Sequence, residues 1–74
     1  MKLTISLDTI DKVKNFVNVI FRFPGDADLI SGRYTVDAKS IMGIFSLDLS
    51  QPLTLELRGE PGEALLSELR RYCV

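Results

Sequence analysis

The apolar residues change period at Asp8, and this one switch restricts the chain to folds in which a strand runs straight into a helix. From Lys2 to Leu7 they alternate, with Leu3, Ile5 and Leu7 facing one way and Lys2, Thr4 and Ser6 the other, the pattern of a half-buried strand. Asp8 and Thr9 are both good N-caps. Behind them Ile10, Val13, Phe16, Val17, Ile20 and Phe21 recur at helical spacing, with Asp11, Lys12, Lys14, Asn15 and Asn18 opposite. Phe23-Pro24-Gly25-Asp26 stops this helix, because proline disfavours helical backbone in the residue before it and glycine supplies a turn.

The same two periods recur along the rest of the chain. Ala27 to Ile30 and Arg33 to Asp37 are short strands separated by Ser31-Gly32, a spacing that suits a tight hairpin, with Tyr34 and Val36 on one face. Ser40 is placed to cap a helix over Ile41 to Leu47, which Asp48 ends. Pro52 introduces a fourth strand, in which Leu53, Leu55 and Leu57 alternate with Thr54, Glu56 and Arg58. Gly59-Glu60-Pro61 then opens the last helix, with proline in the first turn it prefers and Leu65, Leu66, Leu69 and Tyr72 as the inner stripe. The order is β-α-β-β-α-β-α. Each helix has one apolar stripe and each strand one apolar face, which predicts a two-layer α+β sandwich with the helices over one side of the sheet.

Composition narrows the chemistry. A chain of 74 residues is expected to form one domain over 1–74, and domains this small bury only about 60% of their unfolded surface, leaving little for a pocket. The chain has no histidine and one cysteine, so Ser-His-Asp and Cys-His catalysis, a phosphohistidine and a thiolate zinc site are all excluded. No carboxylate pair comes with a nucleophile or a Gly-rich phosphate loop; Asp8, Asp11, Asp26 and Asp28 read as caps and turn residues. We therefore expect no enzymatic activity and no cofactor or metal. Nine basic against ten acidic side chains leave no footprint for nucleic acid or an anionic membrane. Arg58, Arg70 and Arg71 form at most a small basic corner, read as solubility and helix C-terminal charge. The first eight residues are too short and polar for a signal-peptide core, no run could span a bilayer, and the lone Cys73 fits a reducing compartment, so a cytoplasmic location is expected.

At Ala38-Lys39-Ser40-Ile41-Met42-Gly43-Ile44-Phe45-Ser46-Leu47 the sequence resembles HPr, the histidine-containing phosphocarrier family of the bacterial sugar phosphotransferase system. Lys-Ser-Ile-Met-Gly is a hallmark of that family, and the preceding hairpin and following strand and helix are in its order. The resemblance implies an open-faced sandwich with a four-stranded antiparallel sheet in the order 1-4-2-3. It also locates a departure. Family members carry a Gly-(hydrophobic)-His-Ala-Arg-Pro loop between the first strand and first helix, whose histidine receives the phosphoryl group. Here Leu7-Asp8-Thr9-Ile10 goes directly from strand to helix, without loop, histidine, arginine or proline. In retained chemistry the chain is similar to the catabolite-repression HPr paralogue, which lacks the histidine and keeps the serine.

What the resemblance carries over is Ser40, the serine that HPr kinase/phosphorylase modifies in the family and whose phosphorylated form a transcription regulator binds. The hydroxyl has two readings: a helix cap alone, or a seryl-phosphorylation switch in carbon and sugar-transport regulation. Phosphate there would favour the helix start, since it adds roughly −1.5 to −2 charges at the positive end of the dipole. Lys39 reads either as a support for a nearby anion or as a solvated cation. Ile41, Met42, Ile44 and Phe45 cannot all point inward on one short helix, because adjacent residues diverge by about 100°. In the family this helix docks phosphotransferase-system components and the kinase, so partner contact is expected at Lys39 and at the outward positions, here expected to be Ile41, Met42 and Phe45. The alternative is a structural module that keeps the fold and forms a homodimer through the apolar helix 40–47.

Overall fold

The computed structural model describes residues 1–74. Strands β1 (Lys2–Ile5), β2 (Ala27–Ser31), β3 (Tyr34–Asp37) and β4 (Leu53–Leu57) alternate with helices α1 (Ile10–Ile20), α2 (Ile41–Phe45) and α3 (Glu63–Leu69), and a 3₁₀ turn, Arg70–Tyr72, follows α3. The sheet is antiparallel throughout, in the order β1-β4-β2-β3. Leu3, Leu55, Leu29 and Val36 face one another across all four strands in one row. Lys2, Glu56, Asp28 and Asp37 form the neighbouring row on the opposite face, where none of them is buried. The apolar row lies under the helices. The polar row leaves the other face open, so the fold is the α+β sandwich expected.

The core contains Ile5, Leu7, Leu29, Leu53, Leu55 and Leu57 from the sheet side and Val13, Phe16, Val17, Ile20, Ile44, Leu65 and Leu69 from the helices. Phe16 is fully buried and meets the Tyr72 ring edge-on at 5.6 Å, closing α1 against the end of α3. Ile10 and Phe21, assigned to the same stripe by spacing, are instead 62% and 61% exposed. Ile10 has the right angular position, three residues before Val13, but opens the helix in a turn that projects beyond the core. Phe21, four residues past Val17, has nearly the same angular position as Ile10 and, as the C-cap residue, stands at the opposite end of the helix, past its last core-facing residue, Ile20.

Four boundaries differ from expectation: β1 ends at Ile5, its last pair with β4, although Leu7 beyond it stays buried, and the other three have local reasons. The hairpin closes on the pair Ser31–Tyr34, so its two turn residues are Gly32 and Arg33, with Gly32 at φ +57° taking the positive-φ position of such turns. α2 stops at Phe45, before Leu47 and Asp48. The Ser46 hydroxyl donates to the Gly43 carbonyl at 2.6 Å, and Asp48 turns to the amide of Ser50. α3 begins after Gly62 at φ +81°, a backbone that a side chain would strain, so Pro61 stands outside the helix.

The last residues enter the sheet. The Ser6 amide donates to the Tyr72 carbonyl at 2.8 Å, the Val74 amide donates to the Thr4 carbonyl at 3.1 Å, and Cys73 faces Ile5 in an antiparallel bridge. The outer edge of β1 is thereby covered.

Candidate functional site around Ser40

β3 runs into α2 through Ala38, Lys39 and Ser40, and this short connection fixes the serine. The Asp37 carboxylate accepts the Lys39 amide at 2.9 Å and the Asp37 carbonyl accepts the Ser40 amide at 3.0 Å, a turn that swings the chain off the sheet edge. Ser40 has extended backbone and its Oγ accepts the Gly43 amide at 3.2 Å, the N-cap expected from the sequence. Its side chain is half-buried. Gly43 makes the arrangement close: a Cβ there would stand 3.2 Å from Ser40 Oγ and 3.3 Å from Val36 Cβ, so its absence lets α2 lie against β3 while its amide reaches the hydroxyl.

Lys39 is not a solvated cation. Its Nζ donates to the carbonyls of Phe23 at 2.6 Å and Gly25 at 3.1 Å, tying the start of α2 to the loop that leaves α1. Phe23 is buried, and a Cβ on Gly25 would stand 2.6 Å from the Arg58 carbonyl, so this loop has little freedom to move away. Spacing alone could not reveal the tie, because donor and acceptors lie far apart in the chain and a backbone carbonyl leaves no mark on residue identity.

The apolar helix divides as its angular spread requires. Ile44 is fully buried, Ile41 is half-buried and packs on the core, and Met42 and Phe45 are 77% and 41% exposed. Met42 and Phe45 therefore stand outward as expected, while Ile41 does so only in part. The exposed Ile10 opens α1, the helix against which α2 packs.

At the start of α1 the Thr9 hydroxyl accepts the Lys12 amide at 3.1 Å, and the Lys12 ammonium pairs with Asp8 at 2.9 Å. The Lys12 hydrogen bond, followed by its charge, holds the Asp8 carboxyl below its ordinary value. The segment Leu7-Asp8-Thr9-Ile10 is thus a compact cap carrying no nucleophile–base pair. Elsewhere, Arg58 bonds Asp28 across the open face at 2.9 Å, whereas Arg70 and Arg71 lie in the 3₁₀ turn, so the three arginines do not act as one corner. Cys73 is a free, exposed thiol, no helix is long and apolar enough to cross a membrane, and no group of Asp, Glu and Cys side chains is arranged to hold a metal.

Solved structures similar to this chain are phosphocarriers. HPr from Bacillus anthracis str. Ames is 30% identical, with a TM-score of 0.72 over 100% of this chain and 94% of that one. HPr-C-His from Thermoanaerobacter tengcongensis is 28% identical, with a TM-score of 0.75 over 96% of this chain and 85% of that one. No protein-family model and no curated protein matches the sequence.

Proposed function

The chain belongs to the HPr-like phosphocarrier family, and we propose that within it the protein is a regulatory or adaptor member, switched at Ser40 and read by protein partners. The observation that carries this reading is the placement of Ser40: a half-exposed hydroxyl in the run Lys39-Ser40-Ile41-Met42-Gly43, on a rigid cap beside the exposed apolar side chains Met42 and Phe45. The chain has no histidine, so no phosphoryl group is relayed as phosphohistidine. Proteins of this family are carriers rather than enzymes, and this chain offers surfaces rather than a reaction centre.

The switch works by changing charge. A kinase would move the terminal phosphoryl group of ATP to Ser40 Oγ, leaving ADP and giving the hydroxyl proton to the kinase's base. The phosphate oxygens retain acceptors for the Gly43 amide, so the helix start persists while the surface beside Met42 and Phe45 gains negative charge. A partner with a basic side chain next to an apolar contact would then distinguish the two forms. Suitable partners are an HPr kinase/phosphorylase, a transcription regulator, or other phosphotransferase-system components, in the cytoplasm.

The test uses purified HPr kinase/phosphorylase with ATP and intact-mass detection. Wild type is expected to gain one phosphoryl group. Ser40→Ala gains none, and Ser40→Asn, which keeps a capping acceptor without a hydroxyl, also gains none. An unmodified wild type under conditions that modify authentic HPr overturns the switch, and acid-labile phosphate transferred from enzyme I overturns the loss of carrier chemistry.

A further inference from the structure

The two outer edges of the sheet differ: residues 72–74 pair along β1, while β3 has no strand beyond it. The direction of the free backbone groups on β3 follows from the ladder. Asp28 opposes Asp37 and Ser31 opposes Tyr34, so Ala27 opposes Ala38, and the Ala38 amide donates to the Ala27 carbonyl at 2.9 Å. Bonded and unbonded pairs alternate in an antiparallel ladder, so Tyr34 and Val36 also bond to β2, while Thr35 and the Asp37 amide point away from it. An edge of this kind is a template for another strand unless it is blunted by proline, a bulge or repelling charge. β3 contains no proline, and its flanking charges are of opposite sign.

We propose that β3 is a self-recognition edge whose occupant is a second copy of this chain, paired antiparallel about Thr35. In that register the two Thr35 residues exchange their outward backbone bonds, and each Asp37 amide faces Arg33 of the other copy. Arg33 stands opposite Asp37 of the second copy on the open face, twice by symmetry. Neither side chain has an ion-pair partner within one chain, and Asp37 keeps Oδ2 free while Oδ1 accepts the Lys39 amide. On the helix face Tyr34, 71% exposed, meets Val36 of the second copy, an aromatic–β-branched pairing that suits cross-strand packing. Parallel in-register pairing would instead set Arg33 against Arg33 and Asp37 against Asp37. The charge pattern therefore selects one orientation, and two four-stranded sheets become one across a two-fold axis. This interface is distinct from α2 and does not depend on phosphorylation at Ser40.

Sedimentation equilibrium from low micromolar to millimolar concentration, in low salt, tests the proposal. The wild type is expected to dimerise weakly. Arg33→Asp makes the edge wholly acidic and Asp37→Arg makes it wholly basic, and each alone should weaken self-association about tenfold or more. Mixed together, the two variants restore both opposite-charge pairs and should associate as a heterodimer. Because Asp37→Arg also removes the Lys39 amide contact, dilution of the ¹⁵N-labelled wild type gives an independent readout, with the Arg33, Thr35 and Asp37 amides shifting most. A wild type that stays monomeric at millimolar concentration overturns the proposal. So does association abolished by Met42→Asp but unaffected by the edge variants.

Discussion

Thr9 and Ser40 cap α1 and α2 by the same bond, at 3.1 and 3.2 Å, yet their surroundings differ. Around Thr9 the charges face one another: Asp8 precedes the cap, Asp11 lies in the first turn, and the Lys12 ammonium is bound to Asp8 in solvent. α2 has no acidic residue in its first turn, and Lys39 is bound to two neutral carbonyls, so its positive charge is anchored without being cancelled at the ammonium. A phosphate on Thr9 would meet two carboxylates. On Ser40 it would meet none in its own first turn, and Asp37 is already turned to the Lys39 amide. Two equivalent caps thus differ in what they could carry, and the difference lies in neighbouring side chains.

Removing the anchored cation is the largest break in this comparison. Lys39→Met keeps the aliphatic stem but loses both carbonyl contacts, and is expected to lower unfolding stability by about 1–2 kcal/mol, read from urea midpoints. Lys12→Met should cost less, since its pair with Asp8 lies in solvent. Equal losses would show that burial of the Lys39 contacts contributes nothing.

The caps themselves should behave alike. Thr9→Ala and Ser40→Ala are each expected to cost about 1 kcal/mol, while Thr9→Ser and Ser40→Asn stay near wild type in thermal unfolding. A neutral Ser40→Ala would mean that the hydroxyl contributes no capping energy.

The smallest effect concerns acid. Asp8, through the Lys12 hydrogen bond and charge, and Asp48, through the Ser50 hydroxyl and amide, both titrate below their ordinary value of 3.8 when folded. Depressed carboxyls add stability above that value and lose it as pH falls through the folded value. Stability should therefore decline slightly below about pH 4, and Asp8→Asn should flatten the α1 share of the decline in acid titrations followed by circular dichroism. An unchanged slope would remove the Asp8 contribution.

The layers were readable because each buried row repeats its period without interruption: Leu53, Leu55 and Leu57 in β4, and Val13, Phe16, Val17 and Ile20 in α1. The cap at Ser40 was readable because capping is local. The order of strands was not, since period says which face a residue takes and nothing about its neighbour; it came from the resemblance carried by Lys39-Ser40-Ile41-Met42-Gly43. What stayed hidden depends on distant backbone. The Lys39 tie to Phe23 and Gly25 is of this kind, as is the pairing of residues 72–74 with β1. The misplaced start of α3 has a different cause: Pro61 is an acceptable first-turn residue, but Gly62 adopts a backbone incompatible with helix one step later.

That covered edge of β1 also bears on how the sheet can be assembled. β2 and β3 meet across a two-residue turn, whereas Ile5 pairs with Leu53 on one side and Cys73 on the other, so neither neighbour of β1 is near it in the chain. Loop-closure entropy rises with the length enclosed. The hairpin therefore has the smallest nucleation penalty, and β1, first in sequence, is the strand whose place depends most on structure formed elsewhere.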